Sequence, residues 1–157
     1  MKVQLIVIGK TKSEFLLDGE NEYQKRLRHY CKFSELIIPD IKNGGKLSKK
    51  EFKEKEGNLI LASIKNSDYV ILLDHKGLEL SSTDFAEFLN KKMVSSTNEL
   101  VFIIGGAFGF SESVYRRANT KLRLSKMTFS HQMVRMIFKE QLYRAFTIIK
   151  GEKYHHE

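Results

Sequence analysis

"VFIIGGAFGF", residues 101–110, runs four hydrophobic residues into three glycines within five positions. An apolar strand that empties into a glycine-rich turn brings backbone close to whatever the turn holds. The turn fits neither common phosphate loop. A P-loop needs Lys and Ser or Thr after its last glycine. Here Phe110 and Ser111 follow Gly109, and the next lysine is Lys121. The dinucleotide fingerprint needs glycines at i, i+2 and i+5, whereas Gly105, Gly106 and Gly109 stand at i, i+1 and i+4. Short glycine motifs also arise from tight connections alone, so other segments must decide.

Outward from this turn, strand-like runs occur at 2–8, 33–39, 69–74, 99–104 and, more weakly, 121–125. Several are continuously apolar, as a sheet covered on both faces requires. Amphipathic helices are predicted near 13–31, 48–65, 83–93, 111–118 and 131–150. In the last, Val134, Ile137, Phe138, Leu142, Ala145 and Ile149 recur at helical spacing. Alternating strands and helices predict one α/β domain over 1–157 with a mostly parallel sheet. Ligands of such sheets gather at the carboxyl ends of strands.

Three loops leave the later strands: "LDHKG" (73–77), "GGAFG" (105–109) and "LSKMTFSHQ" (124–132). If the strands are neighbours, these loops converge. Two offer free backbone; the third adds hydroxyls (Ser125, Thr128, Ser130) between apolar residues (Leu124, Met127, Phe129). With no cationic cluster for a triphosphate, such a pocket suits an uncharged ring held by backbone groups, and adenine fits.

With 157 residues and 41% hydrophobic composition, the chain can build a real core. No apolar run approaches a membrane span, and "MKVQLIVIG" reads as a first strand, not a signal peptide. Cys31 is alone, which rules out an internal disulfide and a cysteine-based metal site. No His and carboxylate pair shows ligand spacing, so no metal is expected. A cytoplasmic protein is the expectation. The net charge is +8, and residues 111–157 carry ten Lys and Arg against four acids. That excess suggests a polyanion partner, or only a solvated basic face.

"FIIGGAFGF", "LSKMTFSHQMVR" and "EQLYRAFTIIKGEKYHHE", with "MKVQLIVIGK" and "KEKEGNLIL", resemble the RlmH family. These are small SPOUT-class (α/β-knot) methyltransferases of ribosomal RNA. The resemblance covers nearly the whole chain. It implies a deep carboxyl-terminal trefoil knot, a rare exception to unthreaded chains. It implies S-adenosylmethionine bound by Leu73, Gly105, Leu124, Ser125, Lys126, Met127, Thr128 and Phe129. It implies a homodimer whose active sites are completed by the partner chain. The implied reaction methylates N3 of a pseudouridine in the intersubunit-bridge hairpin of 23S rRNA in the ribosome.

Candidate catalytic residues are His155, Arg144, Tyr154 and His131. Either histidine can serve as the base that takes the N3 proton; His131 can equally bond its own loop. Tyr154 and His155 can order over a base by stacking. Arg144 can contact phosphate or developing charge, or simply pair with Glu140 at i−4. Arg135 and Lys139, one turn apart, make a candidate phosphate stripe or a solvated face. His156 stands where the family has Arg or Lys, and it is the third candidate RNA contact. Asp74 is expected to orient its loop. Ser130 stands where the family has Pro, and its hydroxyl is expected to cap the long helix. The competing functions are a knotted tRNA methyltransferase, which usually carries an extra domain, and a non-catalytic RNA-binding module. The second predicts salt-dependent RNA affinity without cofactor binding.

Overall fold

A computed structural model describes residues 1–95, 97 and 99–156. Five parallel strands form one sheet in the order β2-β1-β4-β3-β5. They are β1 (Lys2–Ile8), β2 (Lys32–Ile38), β3 (Tyr69–Glu79), β4 (Glu99–Ile104) and β5 (Thr120–Arg123). The helices are α1 (Glu14–Leu27), α2 (Lys49–Ala62), α3 (Ser82–Val94), α4 (Glu112–Arg117) and α5 (Met133–Ile149).

The sheet is covered on both sides, which explains the unbroken apolar runs. On one face Val3, Leu5, Val7, Leu100, Phe102 and Ile104 pack with Leu27 of α1, Phe85 and Leu89 of α3, and Phe138, Leu142 and Ala145 of α5. On the other, Ile6, Ile8, Val101 and Ile103 pack with Ile60 of α2 and Val114 of α4. Central β4 supplies both cores, so neither of its faces tolerates polarity.

Two elements differ from the sequence expectation. α1 stops at Leu27; after Arg28, whose N still bonds Gln24 O, His29 N and Tyr30 N close on Arg26 O and Leu27 O in tighter i−3 turns. β3 does not end at Asp74. It pairs with β5 at Leu73–Leu122, bulges, and resumes at Leu78–Leu122 and Glu79–Arg123. Gly77 permits the close approach. A Cβ there would stand 2.5 Å from the Leu122 carbonyl carbon and 2.6 Å from its nitrogen. "LDHKG" is thus an excursion within a strand pair, tethered at both ends.

α5 is fixed from inside, which corrects the expected phosphate stripe. Arg135 and Lys139 are 2% and 1% exposed. The Arg135 guanidinium donates to Ile8 O (2.5 Å), Gly9 O (2.8 Å) and Thr11 Oγ1 (3.2 Å), at the carboxyl end of β1. The Lys139 ammonium lies between Glu20 Oε2 (2.7 Å) and Glu35 Oε2 (2.8 Å). Thr11 Oγ1 also donates to Glu20 Oε1. Their i, i+4 spacing does put both on one helix face, but that face turns toward α1 and the sheet. The Lys139 charge is matched there by two carboxylates, and the Arg135 guanidinium is met by carbonyl and hydroxyl oxygens.

Candidate cofactor pocket and the carboxyl-terminal cluster

The carboxyl ends of β3, β4 and β5 lie side by side, so their loops do converge. They enclose a cavity of about 290 Å³, near the lower end of the roughly 300–1,000 Å³ usual for small-molecule sites. Leu73, Gly105, Leu124, Ser125, Lys126, Met127, Thr128 and Phe129 all line it. So does His131, alone among the four candidate catalytic residues. Ile104, Leu122 and Val134 add apolar wall.

Each loop is braced from behind. The Asp74 carboxylate is 4% exposed and accepts from the Tyr115 hydroxyl of α4 (2.5 Å) and from Lys76 N (2.8 Å). Burial and the bond to Asp74 push the Tyr115 phenol up to about 12. Asp74 therefore orients its loop, as expected. In the third loop Ser125 Oγ accepts from Met127 N (2.9 Å). Ser130 Oγ accepts from Met133 N (3.1 Å), the first residue of α5, while the N-cap position itself is Gln132, whose side chain makes no capping bond. Gln132 Oε1 accepts from Lys12 N and Ser13 N, which ties the loop to the start of α1.

The glycine turn is braced by Glu56 of α2, which the sequence reading passed over. This side chain is 3% exposed. Its Oε1 accepts from Gly106 N (3.0 Å), and its Oε2 is buried without a hydrogen-bond partner among the described residues. Desolvation raises its pKa against the lowering effect of the Gly106 bond. A Cβ on Gly106 would stand 2.5 Å from Oε2, so any larger residue there would have to displace the Glu56 carboxylate. The only sequence signal was position: Glu56 stands four residues before Ile60 on the buried stripe of α2.

The remaining candidates gather elsewhere. Arg144 donates to Glu140 Oε1 from Nη2 (2.6 Å) and Nε (3.0 Å). It lies 4.8 Å from the centre of the Tyr154 ring and 3.4 Å from His155 Nδ1. The Tyr154 hydroxyl donates to Glu140 Oε1 (3.1 Å) and sits 3.4 Å from the Tyr23 hydroxyl. Burial, then the Tyr23 contact, raises the Tyr154 pKa, while Glu140 raises that of Arg144. His156 is exposed beside this cluster in sequence. Val134 reaches the pocket and Arg144 is ten residues further along α5. At 1.5 Å per residue that is roughly 15 Å. One chain thus holds the pocket and the Arg144–Tyr154–His155 cluster as two separate places.

Among the described residues no group of three His, Cys, Asp or Glu is placed to hold a metal ion, and no helix is long and apolar enough to cross a membrane. A parallel sheet whose later strands open at their carboxyl ends into one pocket defines an α/β domain with its candidate ligand site at that edge. The family described as "Predicted SPOUT methyltransferase" matches residues 1–155. The chain belongs to this SPOUT methyltransferase family and, within it, to the RlmH proteins. The knotted carboxyl-terminal half is part of that fold. A protein of Cytophaga hutchinsonii is 56% identical over 156 residues, 99% of this chain and 100% of its own. One of Parabacteroides distasonis is 54% identical over 157 residues, all of both chains. One of Porphyromonas gingivalis is 48% identical over the same span. All three are named ribosomal RNA large subunit methyltransferase H.

Proposed function

We propose that the protein transfers a methyl group from S-adenosylmethionine to N3 of a pseudouridine in the intersubunit-bridge hairpin of 23S rRNA. The substrate is the ribosome in the cytoplasm, and the enzyme works as a homodimer. The observation that carries this reading is the convergence of all eight family cofactor positions on one cavity.

The cavity suits this cofactor. Leu73, Ile104, Leu122, Leu124 and Phe129 give it apolar lining, and the glycine turn and residues 123–128 complete it. Backbone N–H and C=O groups there can hold an uncharged purine, and the carboxylate of Asp74 is occupied by Tyr115. When bound, the cofactor supplies a methyl group already activated by its sulfonium.

The chain's own residues then have two tasks. Positioning is the larger, because aligned reactants reach effective molarities of roughly 10⁵–10⁸ M. The second is removal of the imide proton, for which a base adds about 10²–10⁴-fold. His131 at the pocket and His155 in the cluster are the candidate bases. Arg144, held by Glu140, would present its remaining donors to a phosphate or to the charge that develops on the base. The separation of roughly 15 Å within one chain supports a site shared between subunits. The cluster of one copy would face the pocket of the other.

Labelled methyl transfer from S-adenosylmethionine to ribosomes lacking this modification tests the reading, with the labelled base mapped. Label on one large-subunit pseudouridine is expected. Cofactor binding without label would sink the substrate. For the shared site, a dimer mixed from His155→Ala and Gly105→Trp chains is expected to regain activity that both parents lack. No regain would leave each chain its own complete site.

A further inference from the structure

The basic excess of residues 111–157 pointed to a polyanion, but the structure consumes much of it. Arg135 and Lys139 are buried. Arg117 donates to the carbonyls of Lys65 and Asp68, Arg123 pairs with Glu79, and Arg144 pairs with Glu140. A second concentration of positive charge lies in the lysine-rich stretch 41–57.

That stretch holds lysines 42, 46, 49, 50, 53 and 55 and glutamates 51, 54 and 56. Glu51 closes the capping box of α2 with Ser48, and Glu56 is buried against Gly106. Among the described residues none of the six lysines is in an ion pair. Lys49 and Lys53, one turn apart on α2, line a groove of about 380 Å³ with His75, Ala107, Phe108 and Gly109. Among the described residues no carboxylate lines it. His75, Ala107 and Gly109 also line the cofactor pocket, so the groove adjoins it. Phe108, at the tip of the glycine turn, is 45% exposed. Phe52 braces it edge-on (5.2 Å, 85°), and the Lys49 ammonium stands 5.6 Å from its ring centre.

We infer that this groove is the seat of the RNA strand next to the target base, an assignment that rests on the proposed rRNA substrate. A nucleobase stacks on Phe108 while Lys49 and Lys53 hold the adjoining phosphates. Exposed aromatics between lysines match the two halves of a nucleotide, and single-stranded RNA is bound in this way. Because the groove adjoins the cofactor pocket, a nucleotide seated there would flank a base presented for methylation.

The test uses full-length protein, unmodified ribosomes and S-adenosylmethionine. Ribosome affinity is read by sedimentation across a salt series, cofactor affinity by calorimetry, and transfer by label. Phe108→Leu keeps an apolar side chain on Phe52 but removes the stacking face. It is expected to weaken ribosome binding roughly 5–150-fold. The pair Lys49→Ala and Lys53→Ala, both on the solvent side of α2, is expected to flatten the log affinity–log salt slope by about 1.4–1.8, the share of two phosphates. Cofactor affinity and melting temperature should hold in both. Unchanged ribosome affinity and slope would overturn the assignment. A parallel loss of cofactor affinity would also overturn it, and would give the groove to the cofactor. If the unsubstituted protein binds ribosomes but transfers no label, the proposed reaction fails, yet the sedimentation series still decides the groove. If it binds no ribosomes at any salt, both fall.

Discussion

Lys139→Met isolates what the buried cation on α5 contributes. The ammonium stands 2.7 and 2.8 Å from Glu20 and Glu35, whose side chains are 3% and 15% exposed. Methionine fills similar volume but leaves two carboxylates facing each other without a cation. Breaking a buried pair in this way costs about 3–5 kcal/mol. For a chain of this size each kcal/mol moves the melting temperature by roughly 2–4 °C, so a fall of about 6–20 °C is expected. Equilibrium denaturation would give the free energy directly. Adding Glu20→Gln and Glu35→Gln should return most of it, because an uncharged site of the same shape has little to desolvate. The amide oxygen introduced by Glu20→Gln can still accept from the Thr11 hydroxyl. A loss under about 1 kcal/mol, within the usual range for surface substitutions, would refute the reasoning. So would intact stability with weakened ribosome binding, since that is the signature of an exposed phosphate contact.

Other outcomes follow from the braces behind the pocket. Glu56→Gln keeps an acceptor for Gly106 N but removes the titration. The raised native pKa of Glu56 means that its protonated form favours folding. Its contribution is therefore full below its ordinary value of 4.5 and is lost as pH rises through the raised native value. The stability difference between Glu56→Gln and the parent should change across that window and flatten above it, by denaturation at a series of pH values. Tyr115→Phe leaves the buried Asp74 oxygen without its donor. It should cost about 1–3 kcal/mol and loosen cofactor binding by calorimetry. Ser130→Ala removes the bond to Met133 N and should cost about 1 kcal/mol in denaturation.

What the sequence disclosed follows from how local each signal is. β4 was plain because burial on both faces leaves only apolar residues after Glu99. The three loops that line the cavity were legible as separate strand ends, and the family resemblance pointed to the same residues. Long-range partners were not legible. Lys139 and Arg135 look like an exposed helix face until Glu20 and the β1 carbonyls, more than a hundred residues away, are brought against them. Glu56 sits among lysines and glutamates and reads as solvated, because the Gly106 N–H that it accepts belongs to a distant turn. The second half of β3 was hidden for the same reason. "HKG" has no strand character, and only β5 across the bulge restores the pairing.

The hold of α5 on the end of β1 also orders events during synthesis. Arg135 reaches carbonyls 126 and 127 positions earlier, and Gln132 reaches amides 119 and 120 positions earlier. The ribosome therefore makes the first wall of the molecule long before the helix that closes it. Until residues 124–149 have emerged, the earlier strands present their edges and apolar faces with no final layer over them. Contacts of such separation form slowly and late. A nascent chain is thus a poor cofactor binder and a good chaperone client, and activity arrives only when the last helix docks.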